Sequence, residues 1–237
     1  ATNAIPAELD GLGLPAQQLE RHIAYDIGAA EMTRAMAAAL GAPAVLSNFS
    51  RLLIDPNRGR DDPTLVMRIS DGALVPGNAR IDEAGIAERI LRYYAPYDAA
   101  IDVAVEAAIA AGHLPAIVSL HSFTPFWKGV PRPWHAGVLW DREGRLAQAL
   151  IAALQNEGDL TVGDNEPYRG GLPGDTIDRH ATRRGLLDAL IEIRQDLIAT
   201  PEGAASWAAR LAPMVEAVNA MPQMHAIEQH GSRTGPV

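Results

Sequence analysis

"LPAIVSLHSF", residues 114–123, opens on Leu114 and Pro115 and then runs Ala116, Ile117, Val118 and Leu120 with only Ser119 between them before reaching His121. A short apolar run of this kind, rich in β-branched residues, reads as a strand buried in a sheet covered on both faces. Such a strand needs helices above and below it. Working outward, "DEAGIAERILRYYAPYDAAIDVAVEAAIAAG" (82–112) precedes it and predicts a long helix bent near Pro96, since proline lacks the amide donor and clashes with the preceding turn. Apolar spacing from about Gln17 to Leu40 predicts another helix, stopped by Gly41 with Pro43 just beyond. "APAVLSNFSRLLID" (42–55) reads as strand and loop. Downstream, "HAGVLW" (135–140) and "LLDALIEIRQDLI" (186–198) read as strands or strand ends. "RLAQALIAALQNEG" (145–158) and "ASWAARLAPMVEAVNAM" (205–221) read as helices. Helices alternating with buried strands predict a three-layer α/β/α fold with a mostly parallel or mixed central sheet. We expect one domain over residues 1–237, with no internal repeat and a polar, disorder-like tail from about Gln223.

Composition narrows the function classes. With 237 residues and 48% apolar content, the chain buries one sizeable core. A net charge of −9 and no Lys/Arg-rich block argue against a nucleic-acid surface and leave a small molecule as the expected partner. No run approaches the ~18 apolar residues of a membrane span, and no signal segment opens the chain, so a cytoplasmic location is the expectation. Without cysteine, any metal must be held by His, Asp or Glu. Oligomeric state is not encoded in these patterns.

Three segments carry chemistry-bearing side chains. "SRLLIDPNR" (50–58) ends in Asp55, Asn57 and Arg58. At the carboxyl end of a strand these would face a ligand crevice. Arg58 would then hold a carboxylate or polarise a carbonyl, with Asn57 as amide donor. The same residues also make an ordinary turn, with Arg58 paired to Asp61 or Asp62. In "SLHSFTP" (119–125), His121 follows the strand with Ser122 and Thr124 around it, placed as a zinc ligand or as a hydrogen-bonded structural histidine. In "IEIRQDL", Ile191 and Ile193 face one side of a strand and Glu192 the other, as a general base or an ion-paired carboxylate. The residues alone leave each of these alternatives open.

Taken together and in order, "RHIAYDIGAA", "SRLLIDPNR", "LHSFTP", "GDNEPYRGG", "RHATRRG" and "EIRQDL" resemble the N-formylglutamate amidohydrolase family, a branch of the zinc-peptidase-like enzymes. The resemblance extends from about Ile5 to Leu211. It implies a three-layer fold, one zinc ion and hydrolysis of the amide bond of a small N-acyl amino acid such as N-formylglutamate. By residue, it makes His121 a metal ligand, Glu192 the base that takes a proton from water on zinc, Arg58 the oxyanion stabiliser and Asn57 a substrate-orienting group. Arg51 is expected to grip the substrate carboxylate or to pair with a neighbouring aspartate. A related deacylase or short-peptide hydrolase, and a metal-free binding protein on the same fold, are the alternatives.

Zinc in hydrolases normally takes three protein ligands. Related enzymes carry a histidine after their first strand, in a segment like "DHASNxIP"; this chain opens "ATNAIP", one residue beyond it. Either the first strand and one ligand lie upstream of Ala1 or this protein does not bind zinc in the family manner; the former is the expectation, since a fold without that strand would leave an unpaired edge in the sheet. Asp26 is the candidate for a second ligand, with His22 one helical turn before it, and Asn3 stands where the wider superfamily has a glutamate. Tyr168 and Arg169 in "VGDNEPYRGG" suit a loop closing over substrate, and His180 in "TIDRHATRRG" is expected to contact substrate, with Arg183 or Arg184 available for its carboxylate. Trp134 reads as a pocket wall and His135 as structural, whereas His113, His225 and His230 carry no pattern.

Overall fold

Eight segments form the body of the protein, seen in a computed structural model that describes residues 2–234. In chain order they are α1 (Ala29–Leu40), α2 (Ala95–Ala110), β1 (Ile117–Phe123), β2 (Ala136–Leu139), α3 (Arg145–Asn156), β3 (Val162–Asp164), β4 (Asp188–Arg194) and α5 (Pro201–Asn219). A short helical turn, α4 (Thr176–His180), packs beside β1 and β4. The sheet order is β1-β4-β2-β3. β1 runs parallel to β4, placing His121 opposite Glu192; β2 is antiparallel to β4, and β3 parallel to β2. The sheet is thus mixed, as expected.

Alternation along β4 divides the core between two faces. Ala189, Ile191 and Ile193 point to one side, where they join Met32 and Met36 of α1, Leu146 and Leu150 of α3, and Trp207 and Leu211 of α5. Leu190 points to the other side, with Ile101 and Val105 of α2 and Ile177. Helices on both faces of one sheet make the three layers. Gly137 of β2 is required by a close approach, because a Cβ there would lie 1.9 Å from the Glu166 carbonyl oxygen.

Four local expectations need correction. The single helix expected over 17–40 is two pieces, a helical turn Ala16–Leu19 and α1, separated by turns that end at Gly28, which sits at φ 77°, outside the helical region. The one long helix expected over 82–112 is three pieces: a π-helical turn, Ile90–Tyr94, joins the helix Glu83–Arg89 to α2, and Pro96 falls in the first turn of α2, where its missing amide costs least. "SRLLIDPNR" is a chain of turns, not a strand, and is held by a second apolar cluster in which Leu52, Leu53 and Ile54 meet Leu12, Ile23, Phe49, Leu65 and Tyr94. Residues 222–234 are not free either, since Met224 is buried and Arg145 of α3 donates to the carbonyls of Gln223 and Ala226.

The run that decides the fold is the least enclosed long strand. Every residue of β1 before Phe123 is half-buried, whereas β4 is buried through Ile193. Among the described residues only one edge of β1 is paired. Its other edge borders a gallery walled by Met36 and Leu40 of α1, Ile101 and Val105 of α2, and the extended segment 42–47.

Candidate active site

The carboxyl ends of the parallel pair β1 and β4 bring His121 and Glu192 side by side. The buried turns at 50–57 deliver Arg51 and Asp55 to the same place, and the segment before Gly28 delivers Asp26. Asp26 Oδ2 lies 2.6 Å from His121 Nδ1, and Ser119 Oγ lies 3.0 Å from His121 Nε2. Arg51 bridges two carboxylates, from Nη1 to Asp26 at 3.3 Å and from Nη2 to Asp55 at 2.8 Å. Asp55 also accepts from the Asn57 amide, which fixes the "DPN" turn.

Electrostatics at this cluster follow from burial opposed by pairing. Burial pushes the Glu192 carboxyl up to about 7; His121 and Arg51 pull the other way, and Asp26 adds to the rise. One Glu192 oxygen, Oε2, is buried with no hydrogen-bond partner. Burial also works to raise Asp26, but donation from His121 and the charges of His121 and Arg51 hold it well below the carboxylate range. His121 shows the converse: burial would lower it, and Asp26 with Glu192 leaves it raised. The charge of Asp55 keeps Arg51 protonated despite its burial.

These residues form the polar end of a cavity of about 1060 Å³ whose apolar end is the gallery beside β1. Asn57, Arg58, Tyr168, Arg169, Asp175 and Thr176 complete the polar end. Asn57 accepts from the Thr176 amide through Oδ1. Arg58 does not pair with Asp61 or Asp62; its Nε donates to Thr64 Oγ1 and its Nη1 to the Asn57 carbonyl. Asp175, the N-cap of Thr176–His180, is raised to about 6 by burial.

Other expected residues lie elsewhere. His180 does not line the cavity; it is buried, with its two ring nitrogens against Asp98 and Asp102. Arg183 pairs with Asp178, and Arg184 with Asp102 and Glu106, so neither is free for a substrate carboxylate. His22 faces Asp71, in a turn and not on a helix. His135 accepts from the Thr161 amide, as a structural histidine does. Asp55, Ser119 and Arg132 escaped the sequence reading. Asp55 and Ser119 stood inside quoted motifs as turn and strand residues, and nothing in "VPRPW" marks its arginine.

The donor set fits zinc in kind but not in number. Asp26 and His121 fit in kind, one carboxylate and one imidazole, and the buried unpartnered Glu192 oxygen lies beside them. In number they supply two of the three ligands a catalytic zinc takes. Among the described residues the one cluster of three metal-competent groups is elsewhere: Glu143, Glu228 and His230. There the Arg145 guanidinium already meets both carboxylates, at 2.6 and 2.8 Å.

The model of the family described as N-formylglutamate amidohydrolase matches residues 1–199. The chain belongs to the N-formylglutamate amidohydrolase family. Among solved structures, the gene product Atu2144 from Agrobacterium tumefaciens superposes with a TM-score of 0.87 at 35% identity, over 92% of this chain and 86% of that one. The N-formylglutamate amidohydrolase from Ralstonia eutropha JMP134 gives a TM-score of 0.57 at 24% identity, over 82% and 86%. At that identity the second likeness speaks for the fold alone. No curated protein matches the chain. Family membership makes amide hydrolysis the chemistry that this cavity must be read against, and no helix is long and apolar enough to cross a membrane.

Proposed function

We propose that this family member hydrolyses the amide bond of a small N-acyl amino acid, N-formylglutamate being the first candidate. The observation that carries the reading is Glu192: a buried carboxyl with one oxygen unpartnered, on a cavity wall, opposite the Asp26-paired His121. A carboxylate in that state accepts a proton from an attacking water near neutral pH and returns it to the leaving amine. Arg58 keeps one nitrogen, Nη2, outside the bonds to Thr64 and Asn57, and a guanidinium so held stabilises charge developing on the acyl oxygen. Asn57, fixed by Asp55 and Thr176, orients the substrate, and Tyr168 closes the mouth.

Asp26 and His121 are the residues that would hold zinc. Zinc, when bound, polarises the acyl carbonyl and lowers the pKa of water toward about 7. Arg51 acts indirectly, by holding Asp26 and Asp55 in place, so its charge is committed before a substrate arrives.

The test is release of formate and glutamate from N-formylglutamate by the purified protein, together with its metal content by mass spectrometry. Turnover with about one zinc per chain is expected. Absence of turnover on N-formyl and N-acetyl amino acids, with zinc supplied, would sink the proposal.

A further inference from the structure

Arg132 is buried, at 9% exposure, and forms no ion pair among the described residues. A buried guanidinium without an anion is costly unless other groups replace its hydration. Here three aromatic rings do so: its Cζ lies 5.0 Å from the centre of Tyr168, 5.3 Å from Trp127 and 5.8 Å from Phe123. One end of the fork is also fixed, since Nη1 donates to Thr124 Oγ1 at 3.1 Å and to the Tyr168 hydroxyl at 3.0 Å. The backbone is held as well, the Arg132 amide donating to the Pro125 carbonyl across the hairpin Phe126–Trp127/Val130–Pro131.

The other side of the fork is uncommitted. Nε and Nη2 make no hydrogen bond among the described residues, yet neither belongs to the buried polar atoms left without a partner, so this edge meets solvent. A side-on Nε/Nη2 edge offers two parallel donors at the spacing of a carboxylate. Arg132 stands directly behind the wall at the polar end of the cavity: Tyr168, which it grips, lines that cavity, and its charge is felt at Glu192.

We propose that Arg132 is the anchor for a carboxylate of the substrate, taking it on the Nε/Nη2 edge while Tyr168, Trp127 and Phe123 hold the guanidinium in position. The role expected for Arg51 thereby passes to Arg132, because Arg51 is already spent on Asp26 and Asp55. This rests on the N-acyl amino acid reading, and it makes a free carboxylate a requirement of the substrate, so that acyl amides without one are excluded.

The experiment pairs equilibrium binding with kinetics. Calorimetry measures glutamate binding to the parent, Arg132→Met and Arg132→Lys, and initial rates on N-formylglutamate follow in parallel. Arg132→Met should weaken glutamate binding and raise KM by about 10- to 100-fold, the range for a two-bond charge-assisted contact, with kcat changed far less. Arg132→Lys should recover only part of this, having the charge without the fork. If Arg132→Met does not fold, the lysine variant decides: binding within twofold of the parent overturns the proposal. Failure of the parent to bind glutamate, or a loss confined to kcat in Arg132→Met, overturns it too. Arg132-dependent binding without turnover of any N-acyl amino acid would overturn the hydrolase reading and leave the anchor standing; turnover with an unchanged KM in Arg132→Met would do the reverse.

Discussion

Glu192→Gln removes the proposed proton acceptor while keeping shape and the β4 register. Turnover is expected to fall by about 10²- to 10⁴-fold, the usual worth of a positioned acid-base group, with metal content unchanged. Steady-state kinetics beside metal analysis check both halves, and an unaltered kcat would remove Glu192 from its role. His121→Ala should act differently: losing the one imidazole of the donor pair lowers zinc occupancy, measured by titration against a competing chelator. How much of the site was legible depended on what each side chain does locally. His121 and Glu192 stand at strand ends, so the period of two and the position after an apolar run pointed to them. Asp26 and Arg51 come together across 25 residues through turns, and no local pattern records that pairing. His180 looked like a site residue for its motif, but both its nitrogens are used between two aspartates of α2.

At the level of elements, α2 carries a pH-dependent link to the Thr176–His180 turn. Burial alone would raise Asp98, but donation and charge from His180 and Arg179 overcome it and hold the carboxyl at about 2 against an ordinary 3.8. A carboxyl whose folded pKa is depressed contributes its stability above the unfolded value and loses it as pH falls toward the folded one. That contribution is about 2 kcal/mol at neutral pH, of which roughly half is gone by pH 3. Urea denaturation at pH 5 and pH 3 should therefore show a smaller pH-dependent loss in Asp98→Asn than in the parent; equal losses would mean the carboxylate is not depressed. A second element-scale effect sits at the start of α1. Gly28 has φ 77°, and a Cβ on it would lie 1.9 Å from the Ile198 carbonyl oxygen. Gly28→Ala should cost more than the ~1 kcal/mol of the backbone term alone, read as a shifted denaturation midpoint. The sequence signals for α3, α5, β2 and β4 came through because their periodicity is uninterrupted. The expected helix over 17–40 failed because apolar spacing continues through residues 20–28, where the chain makes turns and Gly28 takes up the left-handed conformation that only glycine adopts readily.

Across the whole molecule, the three layers followed from alternating helices and apolar strands, but the rank of the strands did not. The long apolar run reads as a strand covered on both faces, yet among the described residues β1 is an edge and β4, with a glutamate in it, is the buried one. Hydrophobicity reports how much a segment can bury, and neighbours decide how much it does. The tail shows the same logic in reverse. Its composition is polar, but Arg145 of α3 ties it down with bonds to Gln223, Ala226 and Glu228, while its Nε and Nη2 hold Glu143, which is buried at 4% exposure. The Glu228 amide returns the contact to the Gly185 carbonyl, and the Arg233 amide donates to buried Asp141. Arg145→Met therefore strips three tail contacts at once and leaves Glu143 without its main counter-charge. Breaking one side of a buried ion pair costs about 3–5 kcal/mol, and the 18% exposure of the arginine places the expected loss near the lower figure. Denaturation midpoints measure that loss, and limited proteolysis measures whether the segment after Met221 becomes accessible. Arg145→Met combined with Glu143→Gln should regain much of the stability, since no uncompensated charge is left, but should not restore protection of the tail. A single variant as stable and as protected as the parent would mean that the burial of Met224 and the backbone contacts of Glu228 and Arg233 hold the tail without Arg145.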